Sequence, residues 1–152
     1  MNSYFKGNIH GNNYVIKKVT DPETGEAELL EIITISDTYQ PTLVIEDPSN
    51  FSLYSPDNAI SKEEYRNILR SLPYNFFIRN NDLFSDNISL LKLGRRHNAF
   101  LRNIGITCIE DLTQISKEQL RVEQKRMRNI GLITWVHIVH AAEEIGITFK
   151  AD

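Results

Sequence analysis

The stretch Arg-Asn-Ile-Gly-Ile at 102–106 is nearly repeated as Arg-Asn-Ile-Gly-Leu at 128–132. A glycine just past the last turn of a helix can take the left-handed backbone conformation at little cost. A helix that begins directly after such a glycine points unpaired N–H groups outward, and with the helix dipole these form a site for an anion. The repeat therefore predicts two equivalent helix-to-helix turns that contact phosphate. Glycines that only end a helix are the alternative. Of the two copies, the first has Arg96 and Arg102 close to it and is expected to keep the phosphate site, whereas the second leads into Leu132 and Ile133 and is expected to keep the turn for the fold alone.

Charge is distributed unevenly around these turns. Residues 94–128 carry eight cations and four anions, a local balance of +4, whereas residues 1–60 carry three cations and nine anions, a local balance of −6. The net charge of the whole chain, −3, conceals this contrast. The asymmetry indicates two units with different partners, of which only the second suits a polyanion.

Patterns for catalysis or metal binding are weak. His137, His140 and Glu144 fall at i, i+3 and i+7 on one helix face, but three groups on one helix seldom complete a tetrahedral site. Cys108 is the single cysteine, so no cysteine cluster and no internal disulfide can form. The sequence has no phosphate-cradling glycine loop and no nucleophile elbow. We expect a non-enzymatic protein with neither metal nor cofactor.

The positioning elements differ between the two halves. Apolar runs at 13–19, 28–35 and 42–45, the first two joined by a turn at 21–25, predict a small antiparallel β unit. Ser61 with Glu64 forms a capping box that begins a helix, and this helix should stop by Pro73. We predict an acidic β-rich unit of unknown role at 1–58, a connecting helix and linker at 59–82, and a helical domain at 83–152.

Helix boundary signals recur through the helical domain. A helix should end near Gly105, Thr107 with Glu110 should cap the next, and Ser116 should open a third that ends before Gly131. A last helix should open near Thr134 and end at Gly146. The predicted fold class is α+β, with a compact bundle of short helices and two helix-hairpin-helix turns after the β unit.

Three blocks within 83–149 resemble the C-terminal domain of the bacterial RNA polymerase alpha subunit. They are Leu-Leu-Lys-Leu-Gly-Arg-Arg at 90–96, Leu-Arg-Asn-Ile-Gly-Ile-Thr-Cys-Ile-Glu-Asp-Leu at 101–112, and 129–131 with 145–147. The resemblance implies a compact bundle of about four to five short helices. It also implies binding to the minor groove of A·T-rich DNA and docking of transcription regulators.

Residue roles follow from the resemblance only where residues match. The arginine that the family inserts into the minor groove corresponds to Arg96, and a guanidinium suits the negative potential of a narrow A·T groove. The expected asparagine is replaced by Ala99, with Asn98 beside it. Leu132 and Ile133 stand where the family has two lysines, which should weaken binding by about tens-fold.

Two hypotheses follow. The first is a DNA-binding or transcription-associated protein whose contact set is Arg96, Asn98, Arg102, Gly105, Arg128, Gly131 and Thr134. The second is a protein-docking module that keeps the same fold and binds RNA polymerase or a regulator through Leu132, Ile133 and Trp135, since aromatic and aliphatic anchors dominate binding hot spots.

The sequence also indicates a cellular location. No apolar run approaches the roughly 20 residues that span a bilayer, and the amino-terminal residues lack the apolar stretch of a signal peptide. We expect a cytoplasmic protein without a membrane partner.

Overall fold

The computed structural model describes residues 2–54, 56 and 58–152. Asp57, one of the acids counted in the amino-terminal half, lies outside the described residues. The chain divides into two compact units, Met1–Leu72 with Asp82–Ser85, and Pro73–Asn81 with Asp86–Asp152. The α+β class is confirmed, because a five-stranded antiparallel sheet is followed by helices.

The sheet belongs to the first unit. Its strands are β1 Ser3–Ile9, β2 Asn12–Thr20, β3 Ala27–Ile35, β4 Thr42–Glu46 and β5 Asn58–Ile60, in the order β4-β3-β2-β1-β5. The three predicted strands are confirmed as β2, β3 and β4. The outer pairing of β5 with β1 is additional, so the predicted boundary at residue 58 would cut through the last strand of the sheet.

Alternate residues of strands β2 and β3 form a hydrophobic core on the sheet. Tyr14, Ile16, Leu30 and Ile32 are buried together, and a 3₁₀ helix at Pro48–Tyr54 adds Phe51 and Tyr54 to this cluster. Helix α1, Lys62–Arg70, buries Tyr65 and Leu69. The predicted cap is confirmed, since the Ser61 hydroxyl accepts a hydrogen bond from the backbone N–H of Glu64 at 3.0 Å, and the helix ends before Pro73.

A buried ion pair also belongs to the first unit. The Nζ of Lys17 lies 3.5 Å from a carboxylate oxygen of Glu31, and both side chains are almost fully buried on the paired strands β2 and β3. The backbone N–H of Ser85 donates to the same carboxylate at 2.9 Å, and the Ser85 hydroxyl donates to it as well. These bonds fix residues 82–85 to the first unit and satisfy part of the buried charge.

The second unit is helical. It contains α2 Tyr74–Arg79, α3 Arg95–Asn103, α4 Lys117–Arg126 and α5 Leu132–Glu144, with 3₁₀ helices at Ile88–Leu91 and Ile109–Gln114. Its core includes Phe100, Leu101, Leu112, Leu120 and Ile138. The predicted end of the last helix is confirmed, because Gly146 is left-handed and the N–H of Ile147 donates to the carbonyl of Ala142.

Two local predictions in this unit need correction. Helix α2 is absent from the predicted elements: Pro73 predicted only a stop for α1, which ends at Arg70, whereas Pro73 is the N-cap of α2. Thr107 does not cap a helix: its N–H and hydroxyl donate to the carboxylate of Asp111, and the 3₁₀ helix begins at Ile109 after Cys108.

Candidate nucleic-acid interface

The two Arg-Asn-Ile-Gly copies occupy different positions in the fold. In the first, Arg102 lies in the last turn of α3, and Gly105 follows with a φ of +87°. In the second, Arg128 lies beyond the end of α4, and Gly131 is the N-cap of α5 with a φ of −91° and a ψ of 174°. The prediction of equivalent turns is therefore wrong: the first glycine ends a helix and the second begins one.

Arg102 is a structural residue. It is 2% exposed, and its Nε and Nη2 donate to the two carboxylate oxygens of Asp86 at 2.7 and 2.9 Å. Its Nη1 donates to the side-chain oxygen of Asn81 at 2.5 Å. A guanidinium held in this way cannot reach DNA, so Arg102 leaves the predicted contact set.

The first turn cannot hold a phosphate. Gly105 is buried, and the N–H of Thr107 already donates to the buried carboxylate of Asp111 at 3.0 Å. This carboxylate lies close to where an incoming anion was expected and would repel it. Gly105 therefore serves the fold, although the first turn was the copy expected to keep the phosphate site.

The second turn keeps the features of an anion site. Gly131, Leu132 and Ile133 are exposed, and no side chain in the described part of the chain caps the start of α5. Arg128 is exposed in the loop that leads to this helix. Thr134 is buried, so its side chain is not available for the predicted contact.

The start of α3 presents a second basic feature. Gly94, with a φ of +91°, is the N-cap, and Arg95 and Arg96 are exposed in the first turn. The Tyr74 hydroxyl donates to the backbone carbonyl of Arg96 at 2.9 Å and ties this turn to α2. Burial raises the pKa of Tyr74, and the charge of Arg96 opposes that increase.

Asn98 points into the unit instead of toward solvent. It is 5% exposed, and its side-chain oxygen is a buried acceptor that has no hydrogen-bond partner among the described residues. The predicted contact between Asn98 and DNA is therefore inconsistent with its burial.

Two histidines join the first turn of α3 to the middle of α5. The Nε2 of His97 lies 3.1 Å from the Nδ1 of His137, so the first turn of α3 contacts α5. Gly131 precedes His137 by six residues, which is about 9 Å along a helix axis. Arg96 therefore lies on a helix that contacts α5 about 9 Å along its axis from the uncapped start. Sequence reasoning missed His97 because no spacing rule links residues that are 40 positions apart.

Most of the predicted protein-docking residues are exposed. Leu132 is 48% exposed and Ile133 is 60% exposed, and Val136 adds a third apolar side chain. Trp135 is only half-buried, but it is fixed to α4: its indole N–H donates to the carbonyl of Lys117 at 2.9 Å, and the Arg121 guanidinium lies over its ring.

The histidines of α5 have separate partners. His140 forms an ion pair with Glu144 at 3.0 Å, whereas His137 contacts His97. Among the described residues, no group of three or more His, Cys, Asp or Glu side chains is placed to hold a metal ion. None of the described helices has the length and apolar character required to cross a membrane.

Comparison of the chain with protein-family models, with curated proteins and with solved structures finds no match. The likeness to the carboxy-terminal domain of the polymerase alpha chain stays a prediction from the three sequence blocks.

Proposed function

We propose that the helical unit binds A·T-rich duplex DNA through the starts of α3 and α5, without catalysing a reaction. The observation that carries this proposal is the exposed Arg96 in the first turn of α3, next to His97, whose contact with His137 lies about 9 Å along α5 from its uncapped and exposed start. The sequence resemblance to a minor-groove-binding domain supports the same assignment.

The two features suit different parts of a duplex. A phosphate oxygen can accept hydrogen bonds from backbone N–H groups at the start of α5, which no side chain caps and where the helix dipole also favours negative charge. Arg96 would enter the minor groove, whose narrow A·T form concentrates negative potential. Arg128, exposed just before this helix, supplies a further phosphate contact.

The expected affinity is modest. The revised contact set is Arg96, Arg128 and the backbone around Gly131, because Asn98, Arg102, Gly105 and Thr134 are buried. Each phosphate that the protein neutralises adds about 0.9 to the slope of log affinity against log salt concentration. A set with two arginines should therefore bind measurably at low salt and lose most of its affinity at high salt.

A fluorescence-anisotropy titration with A·T-rich and G·C-rich duplexes at two salt concentrations tests this proposal. We expect saturable binding at low salt with a preference for the A·T-rich duplex, and a loss of about tenfold or more in Arg96→Ala, because one well-placed groove contact contributes roughly 1–3 kcal/mol. Arg70→Ala is the matched control, since Arg70 is exposed on α1 in the first unit and the charge change is the same. Absence of saturable binding, or an equal loss in both variants, would contradict the proposal.

Protein docking is the second candidate. The exposed side chains of Leu132, Ile133 and Val136 form an apolar patch at the start of α5, and such residues are typical anchors of interfaces. Purified bacterial RNA polymerase can be titrated with the labelled chain in the presence of nuclease. Binding that Ile133→Glu abolishes and Val122→Glu leaves intact would favour docking, because Val122 has similar exposure on α4.

A further inference from the structure

We propose that the His97–His137 pair is a proton-linked part of the DNA-binding surface, which takes up a proton when a duplex phosphate binds beside the first turn of α3. This inference rests on the proposed function. It names two residues outside the predicted DNA-contact set, and it predicts that DNA binding strengthens as the pH falls.

The geometry of the pair limits its charge. The facing ring nitrogens are 3.1 Å apart and the ring centroids are 5.4 Å apart. At this separation one nitrogen must donate and the other accept, so the contact is satisfied when the pair is neutral or carries one additional proton. Two imidazolium rings would repel each other and would break the hydrogen bond.

The surroundings of the pair are predominantly basic. Arg95 and Arg96 precede His97 in the first turn of α3, and the Tyr74 hydroxyl from α2 reaches the carbonyl of Arg96. His137 shares a groove with Lys92, His140 and Glu144. Glu144 is the one carboxylate among the described residues that line this groove, and it is already paired with His140.

Desolvation and this basic environment act in the same direction. Burial lowers the pKa of His97 below its usual value, and the neighbouring His137 lowers it further. The position of His97 in the first turn of α3 adds the positive end of a helix dipole. In the free protein these effects disfavour the protonated form of His97.

A bound duplex reverses this balance. A phosphate beside the first turn of α3 would supply the negative charge that the pair lacks, so the protonated state would become more favourable. By linkage, a ligand that favours protonation binds more tightly when protons are more abundant. Uptake of one proton can change the affinity by at most tenfold per pH unit, and a partial effect of about three- to tenfold between pH 8 and pH 6 is expected.

Anisotropy titrations with a short A·T-rich duplex at pH 6 and pH 8, at constant ionic strength, give the ratio of the two Kd values. We expect a ratio of about three to ten for the unmodified chain. His137→Gln and His97→Gln should each bring the ratio close to one. His10→Gln is the matched control and should keep the original ratio, because His10 lies in the first unit.

An NMR titration of the imidazole C–H signals provides a readout that is independent of affinity. The duplex should raise the titration midpoint of His97 or His137 and leave that of His10 unchanged. The inference is wrong if both midpoints stay unchanged, or if the pH ratio persists in His97→Gln and His137→Gln. Binding that depends on Arg96 but not on pH would overturn this inference alone, whereas absence of saturable binding at either pH would overturn the proposed function as well.

Discussion

Arg96 and Arg102 belong to the same helix, yet their surroundings differ. Arg96 is exposed in the first turn, whereas Arg102 is buried in the last turn with its guanidinium bonded to Asp86 and Asn81. Removal of one partner from a buried ion pair leaves an uncompensated charge, which costs about 3–5 kcal/mol. We expect Arg102→Met to lower the free energy of unfolding by about this amount. Arg96→Met should change it by less than about 0.5 kcal/mol, as is usual for exposed positions.

Urea denaturation of the whole chain, followed by the fluorescence of its single tryptophan, measures both values. Trp135 lies in the same unit as both arginines, so its signal reports on the relevant transition. Equal stability losses in the two variants would contradict the assignment of Arg102 to the structure.

The sequence did not predict the burial of Arg102 for a physical reason. Its partners Asp86 and Asn81 are 16 and 21 positions away in the chain, beyond the reach of any helical spacing rule. The six residues 98–103 of α3 are all buried, so this part of the helix has no solvent face on which a contact arginine would be expected. Arg96 was predicted from the resemblance, and its exposure is compatible with that role.

At the scale of elements, substitutions at the start of α5 can change DNA affinity without a different effect on stability. Gly131 is an extended N-cap without a side-chain hydrogen bond, and a Cβ added there would meet no described atom within 4 Å. Asn and Asp are both strong N-cap residues, so Gly131→Asn and Gly131→Asp should each stabilise the protein by a few tenths of a kcal/mol. Only Gly131→Asp places a negative charge where a phosphate is proposed to bind.

We therefore expect DNA affinity to fall about tenfold more in Gly131→Asp than in Gly131→Asn, since both caps engage the same N–H groups and only one repels phosphate. Thermal unfolding and anisotropy at low salt measure the two properties. Similar affinities for the two variants would show that no phosphate binds at this helix start.

The two glycines of the repeat should also respond differently to alanine. Gly105 has a φ of +87°, which disfavours any residue with a Cβ, and Gly105→Ala should cost about 1–2 kcal/mol of unfolding free energy. Gly131 has a negative φ, so Gly131→Ala should lie within about 0.5 kcal/mol of the original chain. Equal effects in thermal or urea unfolding would contradict the different positions of the two copies.

Elements with strong local signals were predicted well. Strands β2, β3 and β4 follow from runs of apolar residues between turns, and α1 and α4 begin at serine caps whose hydroxyls accept from Glu64 and Gln119. The outer strand β5 has only three residues, and α2 has six, so neither is long enough to repeat its periodic pattern twice. The two turns differ because α4 ends before its copy of the repeat, whereas α3 continues into the other copy. The repeated residues alone do not indicate where either helix ends.

At the scale of the whole molecule, the net charges of the amino-terminal and carboxy-terminal parts of the chain differ in sign. Residues 1–72 carry six cations and eleven anions, a balance of −5, and residues 73–152 carry eleven cations and nine anions, a balance of +2. The charge contrast was predictable from composition, whereas the assignment of Asp82–Ser85 to the first unit was not. That assignment depends on the bonds between Ser85 and Glu31, which are 54 positions apart.

The covalent connection between these oppositely charged regions leads to the last prediction. A duplex bound by the basic region is accompanied by five excess negative charges on residues 1–72, and their repulsion should weaken binding when salt is low. Glu23, Glu26 and Glu28 are exposed, so their simultaneous replacement by glutamine should change stability little and bring the net charge from −3 to 0.

We expect this triple variant to bind the A·T-rich duplex a few-fold more tightly at about 50 mM salt and equally well at about 300 mM, where the Debye length falls to roughly 6 Å. Anisotropy titrations of both proteins across this range measure the difference. The high-salt comparison is the internal control, because a change in a specific contact would persist there. Equal affinity of the two proteins at low salt would mean that the negative charge of residues 1–72 does not weaken DNA binding.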